Sequence, residues 1–390
     1  MRTWLVERSE LTKEQLKIVE APLRKHLLVS GPASSGKTQI LVHRAAYLAE
    51  AASAHPSSGF LFAITDVAQN FMRSSVKALG LHDESVTTFD EWCRSFYTAH
   101  ISANLPRVYV DGRVDYARTR EEVLDLFFRR EDLRENLSFA LVDDGQDLSP
   151  EVYRILGMSA RHITVFTDPL QRIKKEGASE TFILETLGAE KREIPFLRNR
   201  INPTSIIRLA SCFLESEDAE QKCVAPLSPT KELEEQPLCY VAPTNDDEEE
   251  RLAAVVQQRQ FLGERVGIIV PKNAHVHKLA KEFLMRGVKV EKAIVSDAQN
   301  VIHQPFDFNN NIPKITTFPL SKGLAFDSVM LPHLTEDSFR GLGEESRLRM
   351  LFVGIMRASR WVYLSTVRGH EFKEFSILRG AEKKSCLIME

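Results

Sequence analysis

The chain has 390 residues, enough for roughly two or three domains, and 43% of them are apolar, an ordinary share for a soluble globular protein. Its formal net charge is −3, so no global field draws it to nucleic acid, and any such binding must come from a local track of groups. No apolar run approaches the ~18 residues of a membrane span, and the charged opening MRTWLVERSE lacks a signal-peptide core, which together predict a cytoplasmic protein without membrane association. The five cysteines (Cys93, Cys212, Cys223, Cys239, Cys386) form no C-x-x-C pair, which argues against both a zinc knuckle and a disulfide framework.

In chain order, short apolar or β-branched runs at HLLVS (26–30), FLFAIT (60–65), SVTTF (85–89), FALVDD (139–144) and HITVFTD (162–168) alternate with helical patterns. That alternation predicts an α/β domain with a parallel sheet. Residues 99–138 mix arginines with acids and predict two amphipathic helices with solvated outer faces. Ser149-Pro150 predicts a helix start. In NPTSIIRLASCFL, Ile206, Ala210 and Phe213 fall at helical spacing behind Pro203, which suits a first turn. Residues 215–236 are acidic, proline-bearing and aperiodic, and read as a surface excursion. A second strand series follows, YVAP (240–243), VGIIVP (266–271), KITTF (314–318), SVMLPHL (328–334) and WVYLSTV (361–367), and predicts a second α/β domain. Between them NDDEEE (245–250) predicts a helix start with Asn245 as cap and acids complementing the helix dipole.

The strongest chemical signal is GPASSGKT (31–38), which fits G-x-x-x-x-G-K-[ST] between a predicted strand and a predicted helix. Gly31 and Gly36 let the backbone curl until its N–H groups face phosphate, Lys37 reaches the β- and γ-phosphates, and Thr38 ligates Mg²⁺. A phosphate loop needs a strand-end aspartate to complete the magnesium shell. ALVDDGQDLSP (140–150) supplies Asp143 for that role and Asp144 as the carboxylate that orients or deprotonates the attacking water. The expected ligands are ATP and Mg²⁺.

The order of motifs resembles the superfamily 1 DNA helicases of the UvrD/Rep type across nearly the whole chain. LTKEQLKIV (11–19) is similar to the family's adenine-reading motif, with Gln15 at the base. VDDGQD (142–147) resembles its D-E-A-Q-D, and TDPLQRI (167–173) its G-D-x-x-Q-x-I, with Gln171 as γ-phosphate sensor. ITTFPLSKGLAFD (315–327) resembles T-x-H-x-x-K-G-L-E-F-D, and RMLFVGIMRASR (349–360) resembles R-L-x-Y-V-A-x-T-R-A, which makes Arg357 the arginine finger. The resemblance implies two RecA-like domains in tandem, residues 1–197 and 198–390, with ATP between them and a reduced helical insertion at 99–138. It implies Ser35, Gly323 and Arg200 in the nucleotide site, Thr65, Thr88 and Thr317 on the nucleic acid, and Trp92 as a stacking face. Its K-G-L-x-F signature belongs to the branch that moves 3′→5′.

Departures from the pattern accompany the likeness. Asp144 replaces glutamate, Ala325 replaces a glutamate near the ribose, and Arg200 and Ile201 stand where a tyrosine and a second arginine finger belong. Asp90 and Pro319 replace histidines of the DNA track, and QRIKK (171–175) lacks a stacking aromatic, with Lys174 and Lys175 offering phosphate contacts instead. The inserted subdomains of relatives are shrunken or missing. Two readings follow: a translocase or helicase acting on single-stranded DNA or single-strand/duplex junctions, weak in unwinding alone, or a nucleotide-gated subunit that switches a protein partner such as a nuclease.

Overall fold

The structure, a computed structural model, describes residues 5–32, 35–51, 59–108, 112–172, 176–194, 202–214, 235–294 and 306–390. Two compact units divide the chain, one of residues 1–195 and the other of residues 196–390 apart from 296–301. Each is built on a parallel sheet flanked by helices, the tandem RecA-like architecture.

In the first unit the strands are β1 (Leu27–Ser30), β2 (Gly59–Ala63), β3 (Val86–Thr88), β4 (Phe139–Val142), β5 (Ile163–Thr167) and β6 (Glu190–Glu193), in the order β3-β2-β4-β5-β1-β6. Every pairing is parallel. Helices α1 (Lys13–Val19), α2 (Lys37–Ala51), α3 (Asp66–Val76), α4 (Phe89–His100), α5 (Tyr116–Arg129), α6 (Pro150–Ser159) and α7 (Glu180–Leu187) connect them. Covered on both faces, β4 and β5 are buried at every position, which is why their sequences read as unbroken apolar or β-branched runs. Ser149 precedes α6, with Pro150 in its first turn, as its sequence predicts.

Residues 99–138 differ from the expectation of two helices. The chain doubles back through an antiparallel bridge between Arg107 and Val114, held by Arg107 Nη1 donating to Gly112 O at 2.7 Å, and among the described residues only α5 follows, with a single 3-10 turn at Glu131–Leu133. Helix α5 itself is amphipathic as expected: Arg118, Asp125 and Arg129 are exposed on its outer face, while Val123 and Phe127 are fully buried and Phe127 stacks on Phe96 of α4 at 4.9 Å.

A buried cation pins α1 to the body of this unit. The guanidinium of Arg44 on α2 donates to the carbonyls of Ile18, Val19 and Ala21 at 2.8–3.0 Å and to Thr164 Oγ1 at 2.9 Å, and lies 2.8 Å from His162 Nε2. The three carbonyls at the end of α1 replace the water that would otherwise solvate the charge.

The second unit holds β7 (Leu238–Ala242), β8 (Val266–Val270), β9 (Glu291–Lys292), β10 (Lys314–Thr317), β11 (Phe326–Leu331), β12 (Ala358–Val367) and β13 (Ile388–Met389), in the order β13-β7-β12-β11-β8-β10-β9 and again all parallel. Its helices are α8 (Thr204–Ser211), α9 (Asn245–Phe261), α10 (Asn273–Met285), α11 (Glu344–Ile355) and α12 (Phe375–Lys383). Helix α8 follows Pro203 and buries Ile206 and Ala210, and Phe213 just beyond it is buried too. The cap of α9 is Thr244 rather than Asn245: its hydroxyl accepts from Asp247 N at 3.2 Å, which makes Asn245 the first helical residue. Most of the expected excursion at 215–236 lies outside the described residues.

The two sheets share a packing device. In β2, Gly59 faces the ring of Phe139, its register partner on β4, and in β8, Gly267 faces the ring of Phe326 on β11; a Cβ at either glycine would run into the ring.

Candidate nucleotide and nucleic-acid site

In the first unit the loop from β1 to α2 brings the predicted phosphate-binding residues together. Lys37 starts α2 and is 8% exposed; its ammonium donates to the carbonyls of Gly31 at 2.9 Å and Pro32 at 2.8 Å and pairs with Asp168 at 3.4 Å. Gly36 has φ +83°, which L side chains rarely adopt, and a Cβ there would lie 2.7 Å from Gln15 Nε2. At Gly31 a Cβ would meet Ser35 Oγ at 2.8 Å. Both glycines are therefore required by the curl of the loop. Ser35 Oγ is buried without a hydrogen-bond partner, an orphan hydroxyl turned into the loop, as a phosphate-binding group would be.

Gln15 links α1 to this loop. Its Oε1 accepts from Thr12 N at 2.9 Å and its Nε2 donates to Ser35 O at 3.1 Å. One amide hydrogen and one lone pair remain, the donor and acceptor that the adenine N7 and N6 edge requires.

Behind the loop, Thr38 Oγ1 donates to Asp143 Oδ2 at 2.7 Å, so the two predicted metal ligands already touch. Burial, reinforced by the neighbouring Asp144 carboxylate, pushes Asp143 up to about 6. A divalent cation would relieve both causes. Among the described residues there is no group of three or more His, Cys, Asp or Glu side chains arranged for a metal.

Asp144 stands in the left-handed region at φ 51°, ψ 39°, and is 7% exposed. Gln146 Nε2 donates to Asp144 Oδ1 at 3.1 Å, and Gln146 Oε1 accepts from Asp168 N at 3.0 Å. Asp168 in turn accepts from Gln171 Nε2 at 2.6 Å while pairing with Lys37. Lys37, Gln171 and Asp144 thus belong to one buried network. Asp168 and Gln146 are its joints, and the sequence reading assigned neither a role, although Asp168 is an acid directly after a strand just as Asp143 is.

In the second unit Arg357 follows α11 and packs on the turn that contains Gly323. Its Nε donates to Val353 O at 3.1 Å and its Nη1 to Leu324 O at 3.4 Å, and Gly323 takes φ +78°. Arg200, Ile201, Lys174 and Lys175 lie outside the described residues.

The expected nucleic-acid residues fare unevenly. Thr65, two residues past β2, and Thr88, the last residue of β3, cap α3 and α4, accepting from Ala68 N at 3.1 Å and Glu91 N at 3.2 Å. A capping hydroxyl accepts, which leaves its O–H to donate to a phosphate at the same helix N-terminus. Thr317 ends β10 and is 7% exposed. Trp92 corrects the stacking expectation: it is 7% exposed and packed among Phe62, Phe89 and Phe96 in the core, so its ring is spent on packing rather than offered to a base. Asp90, in place of the family's histidine, is bound by Arg120 of α5 at 2.6 Å.

No described helix is long and apolar enough to cross a membrane. No curated protein matches the chain. Among solved structures, the C-terminal domain of a possible DNA helicase from Lactobacillus plantarum WCFS1 matches with a TM-score of 0.35 and 14% identity, over 48% of this chain and 96% of that one. The model of the UvrD/REP helicase N-terminal domain matches residues 11–107, a span that contains Gln15, the whole phosphate loop, Thr65 and Thr88. Residues 11–107, which hold a loop with the geometry of a phosphate loop, are thus similar to the N-terminal domain of the UvrD/REP helicases.

Proposed function

We propose that this helicase-type chain is an ATP-driven translocase on single-stranded DNA, moving 3′→5′ and unwinding weakly by itself. The observation that carries the reading is the buried network in which Thr38 meets Asp143 while Lys37, Asp168, Gln171, Gln146 and Asp144 are joined hydrogen bond to hydrogen bond. Lys37 neutralises phosphate, Asp144 takes the proton of the attacking water, and Gln171 senses the γ-phosphate at a distance fixed by Asp168. Thr38 and Asp143 would hold Mg²⁺, which when bound neutralises charge on the phosphates. Arg357 is assigned the arginine-finger role by its motif alone, and Gln15 the recognition of adenine. Thr65, Thr88 and Thr317 are the proposed contacts to the strand's phosphates, in a cytoplasmic setting. The test is ATP turnover with and without single-stranded DNA, together with Lys37→Ala, which should remove turnover. A Lys37→Ala variant with normal hydrolysis would end the assignment.

A second reading, a nucleotide-gated subunit that switches a partner such as a nuclease, draws support from the acids at the expected DNA edge. Asp66, Asp90 and Glu91 occupy the first turns of α3 and α4, next to Thr65 and Thr88. Their charge opposes a phosphate backbone there. ATP binding with no response to any single strand would favour this reading.

A further inference from the structure

The carboxylate of Glu180, at the start of α7, lies behind the phosphate loop and touches no residue that the nucleotide reading uses. Its Oε1 accepts two hydroxyl hydrogen bonds, from Ser30 Oγ and Thr167 Oγ1, both at 2.7 Å. Ser30 is the last residue of β1 and directly precedes Gly31 of the loop. Thr167 is the last residue of β5 and directly precedes Asp168, the partner of Lys37 and Gln171. The other oxygen, Oε2, pairs at 3.1 Å with Lys191 of β6, the strand on the far side of β1. One side chain, 19% exposed, therefore ties the carboxyl ends of β1 and β5, the two points from which the phosphate loop and the turn of Asp168 and Gln171 depart, and is anchored to Lys191 within β6. Hydrogen bonds from both hydroxyls and from Lys191 hold it below the usual carboxylate range against its burial, so it stays an acceptor.

We infer that Glu180 is a positioning residue, resting on the translocase reading above, which sets the separation of the phosphate loop from the Asp168–Gln171 turn and thereby the alignment of γ-phosphate and sensor. Such a tether acts on turnover more than on affinity, because nucleotide binding needs only the loop, whereas hydrolysis needs loop and sensor in register.

The experiment is steady-state ATP turnover with single-stranded DNA for wild type, Glu180→Ala, Glu180→Gln and Thr167→Val, with melting temperature read for each. Glu180→Ala should lower kcat on the order of tenfold to a hundredfold while KM for ATP moves less than about threefold. Glu180→Gln keeps an oxygen for both hydroxyls and should restore most of kcat, and Thr167→Val, which removes one tether at nearly constant shape, should give part of the loss. If Glu180→Ala does not fold, Thr167→Val carries the test. Unchanged kcat in the alanine or valine variant, or equal losses of kcat and affinity that glutamine does not rescue, overturns the inference alone. A wild type with no turnover would sink the translocase reading and this inference with it.

Discussion

Asp144 combines the carboxylate proposed as the base with a backbone that most residues avoid. At φ 51° aspartate is among the side chains best tolerated, whereas glutamate is not, and the left-handed conformation costs a residue with an ordinary Cβ roughly 1–2 kcal/mol. Asp144→Glu is therefore expected to speed ATP turnover by carrying the carboxylate one methylene closer to the water, while lowering stability by about 1 kcal/mol. Asp144→Asn should nearly abolish turnover and leave stability alone. Steady-state rates and urea midpoints separate the two effects, and full turnover in the asparagine variant would remove Asp144 from the role of base. Trp92 makes the complementary case. Phe89, Trp92, Cys93 and Phe96 fall at i, i+3, i+4 and i+7 and form the buried stripe of α4, which takes the indole away from the stacking role expected of it. Trp92→Ala should cost about 3–5 kcal/mol through the cavity it leaves. Trp92→Phe should preserve DNA affinity, and a large loss of affinity in that folded variant would return the ring to the nucleic-acid surface.

At the scale of elements, the apolar strands were legible and the polar ones were not. Every strand of the two predicted series is present, and the interior ones read as apolar because they need apolar side chains on both faces. The strand β6, Glu-Lys-Arg-Glu, is the edge of its sheet with no position fully buried, so only its pairing with β1 makes it a strand. The loop motif was legible because its spacing is set by phosphate; the tie between Gln146 and Asp168 was not, because it joins residues of two different strand ends. The start of α9 offers a direct check: Thr244→Ala should cost about 1 kcal/mol and Asn245→Ala much less, since only the threonine hydroxyl caps the helix. A second check lies under Arg44. His162 is lowered to about 3 by burial first and by the Arg44 charge second. A histidine with a depressed folded value lends stability above its unfolded value near 6.5 and loses it as pH falls, by up to about 1.4 kcal/mol per pH unit from pH 6.5 downward. Denaturant midpoints should therefore drop between pH 7 and pH 5, and His162→Asn should flatten that slope.

For the molecule as a whole, the described residues place little between the strands of the two parallel sheets, which on the proposed translocase reading leaves a motor reduced to its working parts. Residues 101–138 contribute one helix packed on α4, and neither unit displays a separate helical subdomain among the described residues. Stepping along a strand needs two grips ordered by the nucleotide cycle, whereas strand separation also needs a surface that holds the duplex. The expected outcome is ATPase activity stimulated by single-stranded DNA, weak or absent unwinding by the isolated chain, and binding that weakens steeply with salt because phosphate contacts dominate. Processive unwinding by the chain alone in a strand-displacement assay would refute the reduced-motor account.

The paired glycines at Gly59 and Gly267 bear on how any mutational survey of this protein should be interpreted. Each lies far from chemistry in role, yet every replacement side chain must displace a phenylalanine ring from a filled sheet interior. A growth-based saturation screen would score both among the intolerant positions, beside Lys37 and Asp143. Cellular protein abundance would sort them: Lys37 and Asp143 variants should accumulate as inert protein, whereas Gly59 and Gly267 variants should be depleted by quality control before function is ever sampled.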